Sequence, residues 1–389
     1  MLNFEFVSPT RFIFGRDAEK ALVDQAKTLG TKILLHYGGG SIKKSGLYDR
    51  VKTSLKEAGV DFTELGGVKP NPALSTVREG IELCRAEGVT GILAVGGGSV
   101  IDSGKGIAVG VPYEGDVWDF YTRKAVIEQA LPIGVILTLP AAGSEGSDGS
   151  VVTDMDTQSK FDCGSDLIRP KFALLNPELS YTLPPYQTAV GAVDMISHVM
   201  ERYFTNTEAV DVTDRLCESV IRSVIKAAPK ALADPEDYEA RAAIMWAGTI
   251  AHNNILGVGR EHDWASHNIE HELSAQYDVA HGAGLAVVFP AWMTYVHETN
   301  IQRFVQFAVR VWDVDYTAGE EKAAALEAIL RHKEFYRSLG MPTSLKELGI
   351  TDDRYDIMAE KATRNGSLGG FRKLDKNDVI AIYKLAAKG

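Results

Sequence analysis

Cysteine is scarce in this chain of 389 residues, where it occurs only as Cys84, Cys163 and Cys217. The three are far apart and form no CxxC pair, which argues against a disulfide framework and against a thiolate metal site. The sequence also lacks a run of about 18 apolar residues, the length that a helix needs to cross a bilayer. Its first residues show no basic segment followed by a long apolar one. We therefore expect no cleaved signal and a cytoplasmic location.

Positive charge is in deficit as well. The formal net charge is -11, and no run of five Lys or Arg residues offsets it locally. We therefore expect neither nucleic acid nor a membrane as a partner. Hydrophobic residues at 45% and charged residues at 24% are typical of globular proteins. The length suits two domains of ordinary size.

The first half of the chain alternates short β-rich runs with helical stretches. The predicted strands are residues 32–37, 61–65, 91–95 and 133–139, and the predicted helices are residues 42–58, 74–87 and 100–109. Such alternation is typical of a parallel sheet covered by helices on both faces. We predict an α/β domain over residues 1–183.

The pattern changes after the turn-rich segment Tyr181-Thr182-Leu183-Pro184-Pro185. From there apolar residues recur at intervals of four, as in Val212, Leu216, Val220 and Val224, and β-rich alternation does not return. Near the end, Asp375 with Asp378 three residues later resembles a helix N-cap. We predict an all-helical domain over residues 184–389.

Two predicted strands run into glycine clusters, Gly38-Gly39-Gly40-Ser41 and Gly96-Gly97-Gly98-Ser99. Glycine lets the backbone approach a phosphate, and the helix N-terminus that follows presents free N–H groups. Neither cluster matches GxGxxG or a P-loop, and a tight strand-to-helix turn is the alternative reading. Two such turns at successive strand ends favour a nucleotide, because ligands bind at that edge of a parallel sheet.

The first glycine turn also bears on the choice of cofactor. It contains no Asp or Glu that could receive the ribose hydroxyls of NAD, whereas Ser41, Lys43 and Lys44 follow directly. Hydroxyl and ammonium groups suit a 2′-phosphate, so we expect NADP(H) to be favoured over NAD(H).

Seven of the nine histidines lie between residues 198 and 297. Asp194 and His198 are four residues apart and therefore face one side of a helix, and His267 and His271 repeat that spacing. His281 follows fourteen residues after His267, which is about 21 Å along an unbroken helix. If His281 joins the others, the helix must stop, and Tyr277-Asp278 offers a place for the chain to turn back.

Such a convergence would give one carboxylate and several imidazoles, a donor set that suits Fe²⁺ or Zn²⁺. The alternative for each histidine is a structural hydrogen bond. The remaining histidines lack a paired spacing, and we interpret them as structural or surface residues: His36, His252, His262, His297 and His332.

Several motifs together resemble the iron-dependent, or group III, alcohol dehydrogenases, in particular their butanol-dehydrogenase and aldehyde-reductase branch. Besides the glycine turns and the spaced ligands, the motifs are Pro9-Thr10-Arg11-Phe12-Ile13-Phe14-Gly15, Lys69-Pro70-Asn71-Pro72, Leu137-Thr138-Leu139-Pro140, Gly143-Ser144-Glu145 and Tyr181-Thr182-Leu183-Pro184-Pro185. The resemblance covers nearly the whole chain. It implies an α/β nucleotide-binding domain and an all-α metal-binding domain of the dehydroquinate synthase-like fold, with a cleft between them and a homodimeric assembly.

The resemblance also implies roles for single residues. The metal would be bound by Asp194, His198, His267 and His281, while His271 would stay off the metal and relay a proton. The cofactor would contact Gly38, Gly39, Ser41, Asn71, Gly97, Gly98, Ser99, Asp102, Thr138 and Lys160. Many relatives carry Thr where this chain has Ala142, and relatives that use NAD often carry Asp where it has Gly39.

The implied reaction is hydride transfer between NADP(H), or NAD(H), and a primary alcohol/aldehyde pair such as butanol and butyraldehyde. The metal would act as a Lewis acid on the substrate oxygen. Alternatives are a polyol dehydrogenase or a dehydroquinate-synthase-like lyase of the same fold, a metal hydrolase, which would leave the glycine turns without a role, and a non-catalytic binding protein.

Overall fold

The structure is a computed structural model that describes residues 1–351 and 354–389. The chain divides into one compact unit of residues 7–183 and a second made of residues 1–6 with residues 184–389. This division differs from the predicted one in the first six residues. They pack on the second unit, where the Leu2 N–H donates to the carbonyl of Gly259 (2.8 Å) and the Met1 ammonium donates to the carbonyl of Glu208 (2.9 Å). The division into domains of residues 1–183 and 184–389 stays a prediction.

The first unit is built on a six-stranded parallel sheet. Its strands lie in the order β1-β8-β5-β4-β2-β3, and a separate antiparallel hairpin consists of β6 and β7. The strands are β1 Arg11–Phe14, β2 Lys32–Tyr37, β3 Asp61–Leu65, β4 Gly91–Gly97, β5 Ile133–Leu139, β6 Gly149–Asp154, β7 Ser159–Gly164 and β8 Phe172–Leu175. The helices are α1 Leu22–Gln25, α2 Ser41–Lys44, α3 Leu47–Ala58, α4 Leu74–Glu87, α5 Gly98–Gly110 and α6 Trp118–Tyr121.

The predicted parallel sheet is confirmed, and β2, β3, β5 and α4 have the predicted bounds. The single helix predicted over residues 42–58 is wrong. The chain forms α2 and α3 instead, because Gly46 adopts a left-handed conformation (φ 73°) that interrupts the helix. β1, β8 and the hairpin were not predicted from the sequence.

A buried lysine ties α5 to the segment that joins β5 to β6. The Lys105 ammonium donates to the carbonyls of Ser144 (2.7 Å), Ser147 (2.9 Å) and Gly149 (2.8 Å). Its side chain is fully buried, and burial lowers the pKa of Lys105 to about 8. Asp102, one turn earlier on α5, accepts a hydrogen bond from the Ser144 hydroxyl (2.5 Å). These contacts fix the backbone that follows β5.

The described residues of the second unit form helices joined by loops, with one isolated β-bridge between Leu368 and Leu374. Its helices are α7 Pro185–Tyr203, α8 Asp211–Ala233, α9 Tyr238–His252, α10 Ala265–Tyr277, α11 His281–Val296, α12 Ile301–Trp312, α13 Glu321–Ser338, α14 Tyr355–Ala362 and α15 Lys376–Lys388. The predicted helix after Asp375 is confirmed, with a complete capping box between Asp375 and Asp378.

The core of this unit is centred on α7 and α11, which contact each other. Every residue of α7 from 191 to 203 is buried, so polar side chains on this helix must find partners inside the protein. The regular apolar spacing in α8 belongs to a helix as predicted, but Val212 and Leu216 are exposed. The buried face of α8 runs instead through Cys217, Ile221 and Val224.

Among the helices of the described residues, none is both long enough and apolar enough to span a membrane.

Replacing Lys105 with Met should lower the free energy of unfolding by about 2–3 kcal/mol, because buried carbonyls would lose a charged donor. Amide hydrogen exchange in residues 144–151 should rise in the same variant. Lys56→Met changes an exposed lysine of α3 and should shift stability by less than about 0.5 kcal/mol. Equal stability of the two variants in urea unfolding would refute this role of Lys105.

Candidate metal centre

Helix α7 places Asp194 and His198 on one side, one turn apart, as their spacing predicts. Asp194 Oδ1 lies 3.4 Å from His198 Nε2, and both side chains are buried. Burial, reinforced by the neighbouring His252 and His267, lowers the pKa of His198 well below its usual value. The imidazole is therefore neutral at physiological pH, which is the form that binds a metal ion.

The predicted reversal of the chain after His267 is confirmed. Helix α10 ends at Tyr277, Asp278 adopts the left-handed conformation (φ 51°), and α11 begins at His281. His281 thus lies at the first turn of a new helix that packs against both α7 and α10.

Glycines beside His281 allow this close packing, as the sequence indicates. A Cβ on Gly282 would lie 2.2 Å from the carbonyl oxygen of Val190 in α7, and one on Gly284 would lie 2.5 Å from Glu270 Oε1 in α10. Neither position tolerates a side chain without movement of the neighbouring helix or of Glu270.

Three potential ligands from three helices meet at one point. One ligand atom each of Asp194, His267 and His281 lies within 4.8 Å of the others, and His281 Nε2 is 3.8 Å from Asp194 Oδ1. Two ligands of a tetrahedral ion with bonds of about 2.1 Å lie about 3.4 Å apart. The Asp194–His198 distance of 3.4 Å equals that spacing, and the ring centroids of His198 and His267 are 4.5 Å apart. His198 lies outside the group of Asp194, His267 and His281 but is adjacent to two of its members. The donor types and the positions of these three residues fit a divalent cation, with His198 beside them.

Two buried glutamates that were not predicted as site residues contact these histidines. Glu201 on α7 accepts hydrogen bonds from Nδ1 and the backbone N–H of His267 (2.7 and 2.9 Å) and from the N–H of Trp264 (2.7 Å). Burial raises the pKa of Glu201 to about 8, and the N–H donors of His267 and Trp264 oppose this rise. Glu270 on α10 contacts Nδ1 of His281 and the hydroxyl of Ser274.

His271, predicted to stay off the metal, lies beside His281 with the ring centroids 5.4 Å apart. With His281 and Glu270 it forms a second group whose ligand atoms lie within 4.8 Å of one another. This group shares only His281 with the first one.

Aromatic rings line one side of His198. His252 stacks on it at 4.1 Å between centroids, and the edge of Trp264 lies at 5.8 Å. His262, in contrast, forms hydrogen bonds, with Nε2 at 2.9 Å from the carbonyl of Gly257 and Nδ1 accepting from the indole N–H of Trp264. The stacking of His252 on a candidate ligand is a contact that its sequence position does not reveal.

The other histidines lie elsewhere. His36 is buried in β2, where Nε2 is 2.7 Å from the hydroxyl of Ser103, and burial lowers its pKa to about 4. His297 Nδ1 is 2.8 Å from the carbonyl of Thr294. Burial lowers the pKa of His332 to about 3.

In the α/β unit, the candidate cofactor residues collect at the carboxyl ends of neighbouring parallel strands. Gly38 follows β2, Gly97 ends β4, and Thr138 lies near the end of β5, and β4 pairs with both β2 and β5. The register of β4 and β5 shifts at Gly96 and Gly97. A Cβ on Gly97 would lie 2.9 Å from Cβ of Leu139, so this irregular strand end requires glycine.

Helices begin directly behind both glycine turns. Gly98 and Ser99 are the first residues of α5, and Ser41 is the first residue of α2. Their free N–H groups and positive helix ends suit phosphate oxygens. At the first turn, Gly39 and Ser41 are exposed.

The remaining candidate cofactor residues differ in their surroundings. The Lys160 ammonium donates to Oδ1 of Asn71 (3.1 Å), so the structure brings these two together. Asn71 itself has a left-handed backbone (φ 52°). Asp102 accepts from Ser144 and, at 3.2 Å, from the N–H of Val151, and its carboxylate is therefore engaged within the protein.

Comparison with protein families gives a match along both halves of the chain. Residues 9–177 match the family described as iron-containing alcohol dehydrogenase, and residues 188–387 match its C-terminal domain. The chain belongs to the iron-containing alcohol dehydrogenase family. The resemblance noted from the sequence motifs is thereby confirmed.

Individual members of this family are similar over their full length. The chain is 47% identical over 384 residues to a Bacillus subtilis protein named "Probable NADH-dependent butanol dehydrogenase 1", covering 99% of both chains. It is 39% identical to the NADPH-dependent aldehyde reductase YqhD of Escherichia coli, covering 94% of both. The crystal structure of NADH-dependent butanol dehydrogenase A from Thermotoga maritima superimposes with a TM-score of 0.96 at 42% identity, covering 100% of this chain and 99% of the other.

Proposed function

We propose that this protein is a metal-dependent oxidoreductase that transfers hydride between a nicotinamide cofactor and a primary alcohol/aldehyde pair such as butanol and butyraldehyde. The observation that carries the proposal is the convergence of one carboxylate and several imidazoles from three helices. Family membership and the names of the relatives support it. Family membership and these names favour an oxidoreductase over a hydrolase, a lyase or a non-catalytic binding protein.

Asp194, His198, His267 and His281 would hold the metal, which we propose to be Fe²⁺, with Zn²⁺ as the other ion that accepts these donors. When bound, such an ion supplies Lewis acidity to a substrate oxygen. Asp194 contributes the only negative charge among the four ligands, and it therefore lowers the net positive charge at the site. The buried helices around these residues limit the access of water, which strengthens their electrostatic effect.

His271 is the candidate proton relay. Its ring lies beside His281 without belonging to the group that contains Asp194. An imidazole that stays off the ion keeps a nitrogen that can give or take a proton near neutral pH.

For the cofactor, we propose that Gly97, Gly98 and Ser99 bind the pyrophosphate at the N-terminus of α5, and that Gly38, Gly39 and Ser41 bind the adenosine ribose. The other proposed cofactor-binding residues are Asn71, Asp102, Thr138 and Lys160. Asp102 would act through the segment it anchors, since its carboxylate already accepts two hydrogen bonds.

We propose NADP(H) as the preferred cofactor, although two relatives at 47% and 46% identity are named as NADH-dependent. The support comes from the first glycine turn. Lys43 is exposed and packs over the rings of Tyr37 (5.1 Å) and Tyr48 (4.9 Å). Those two contacts hold a positive charge at the turn, where a 2′-phosphate would be bound.

We also propose a homodimer. β1 lies at one end of the sheet, and Phe14 on this strand and Val7 before it are exposed. A second copy would cover this apolar edge. Light scattering on the purified protein should give twice the mass of 42.3 kDa, and a monomer at micromolar concentration would contradict the proposal.

Replacing His267 with Ala should remove bound metal and turnover together, because the site would lose one of four donors. His271→Ala should keep the metal but lower kcat and move its pH profile. His297→Ala, a histidine outside both groups, serves as the control and should retain about one metal per chain. Metal analysis and NADPH oxidation with butyraldehyde measure these outcomes. Full activity of the metal-free enzyme would refute the proposal.

Replacing Gly39 with Asp should lower the ratio of kcat/KM for NADPH over NADH at least about tenfold, the effect of roughly 1.4 kcal/mol of added repulsion. The new carboxylate would repel a 2′-phosphate and accept ribose hydroxyls. Its Cβ has no atom within 4 Å in the described part of the chain, so the fold accommodates it. Thr53→Asp adds the same charge on exposed α3 and should leave the ratio unchanged. An unchanged ratio in Gly39→Asp would contradict NADP selection at this turn.

A further inference from the structure

We propose that Glu201 and Glu270 are positioning residues of the metal site, each fixing the orientation and tautomer of one ligand histidine so that its Nε2 lone pair faces the ion. The inference rests on the proposed metal site and goes beyond it. It assigns a role to two carboxylates that are not themselves among the four ligands.

Glu201 holds His267 by two contacts to a single oxygen. Oε1 lies 2.7 Å from Nδ1 and 2.9 Å from the backbone nitrogen of the same residue. Both oxygens of Glu201 face backbone N–H donors, Oε1 that of His267 and Oε2 that of Trp264, so both act as acceptors. Nδ1 of His267 must then carry the proton, which leaves the lone pair on Nε2. Nε2 is then the nitrogen available to a metal.

The second oxygen of Glu201 anchors the start of α10. Oε2 accepts the N–H of Trp264 (2.7 Å), the residue that precedes α10 and adopts a left-handed conformation (φ 63°). One carboxylate from α7 therefore binds both the backbone at the start of α10 and the ring of His267. The orientation of His267 is coupled to α7, which also carries Asp194 and His198.

Glu270 repeats this arrangement at the next helix. Its Oε2 contacts Nδ1 of His281, and its Oε1 accepts the hydroxyl of Ser274, which also lies 3.2 Å from the carbonyl of Val279. The Glu270 side chain is fully buried. The missing side chain of Gly284 provides its space, since a Cβ there would lie 2.5 Å from Oε1.

The two glutamates connect the ligand helices in sequence. Glu201 follows the ligand His198 by three residues but contacts His267 on α10, and Glu270 follows His267 by three residues but contacts His281 on α11. Each helix thus orients the histidine of the next helix. A rival role for Glu270 is direct ligation, because its carboxylate also lies in the group with His271 and His281.

Replacing each glutamate with glutamine should have unequal effects at Glu201 and at Glu270. In Glu270→Gln, the amide oxygen still accepts from His281 Nδ1, and the amide nitrogen donates to the Ser274 hydroxyl. In Glu201→Gln, both carboxylate oxygens face N–H groups, so one end of the amide opposes a donor whichever way it turns. The loss should therefore be larger at Glu201.

The test uses metal affinity and histidine tautomers rather than turnover. Full-length variants are stripped with a chelator and titrated with Zn²⁺ and Co²⁺, and ¹⁵N-histidine spectra of the metal-free proteins report which ring nitrogen is protonated. Glu201→Gln should weaken Zn²⁺ binding about 10–100-fold and mix the tautomers of His267. Glu270→Gln should weaken it less than about tenfold and keep the tautomer of His281.

Glu272→Gln is the matched control. Glu272 is a buried glutamate of the same helix α10, it lies 3.6 Å from Arg364, and it belongs to neither group of potential ligands. The Zn²⁺ affinity and the ¹⁵N-histidine spectra of Glu272→Gln should equal those of the wild type. If Glu201→Gln does not fold, Gly284→Ala tests the positioning role at the other glutamate, Glu270. The added Cβ should push Glu270 away from His281 and thereby weaken Zn²⁺ binding.

The outcomes separate the two proposals. A wild-type protein that binds no metal would overturn the proposed function. A wild type that binds Zn²⁺ while Glu201→Gln binds it equally well, with the His267 tautomer unchanged, would overturn only the positioning role. A Glu270→Gln variant whose Co²⁺ absorption spectrum changes in the coordination region would show that Glu270 is a ligand and would overturn its assignment.

Discussion

The candidate metal centre depends on one reversal of the chain between α10 and α11. Helix α10 could carry His267 and His281 on one straight axis, but they would then lie about 21 Å apart. The left-handed turn at Asp278 ends the helix, and α11 starts again at His281. Gly282 and Gly284 then let α11 pack directly on the backbone of α7 and on Glu270. Without this turn and these two glycines, the donors would not converge.

The convergence places polar and ionisable groups in the middle of a helical core. Asp194, His198, Glu201 and Glu270 are buried among the apolar residues that surround α7, and isolated charges there would be costly. Each imidazole is neutral or bonded to a carboxylate, and a divalent cation would offset the remaining negative charge. The same principle holds for Lys105 in the α/β unit, whose buried ammonium is surrounded by carbonyl oxygens. Buried charge in both units serves to fix backbone segments.

Much of this architecture could be predicted from sequence, for identifiable reasons. The strands β2 and β5 are rich in apolar residues, and residues four apart, such as Asp194 and His198, face one side of any helix. What could not be predicted depends on contacts between distant segments. Strands β1 and β8 are only four residues long, and the break at Gly46 depends on a single backbone conformation. The roles of Glu201 and Glu270 could not be predicted, because each contacts a histidine on another helix. The one indication in the sequence is that each acid follows a candidate ligand histidine by three residues.

The most direct test of the account is a crystal structure of the purified protein with anomalous scattering measured at the iron and zinc absorption edges. We expect one strong peak in the helical unit, about 2.0–2.2 Å from an oxygen of Asp194 and from Nε2 of His198, His267 and His281. Glu201 and Glu270 should remain on the Nδ1 side of their histidines. A peak bound by Glu270 and His271, or no peak at the four donors in an active preparation, would contradict it.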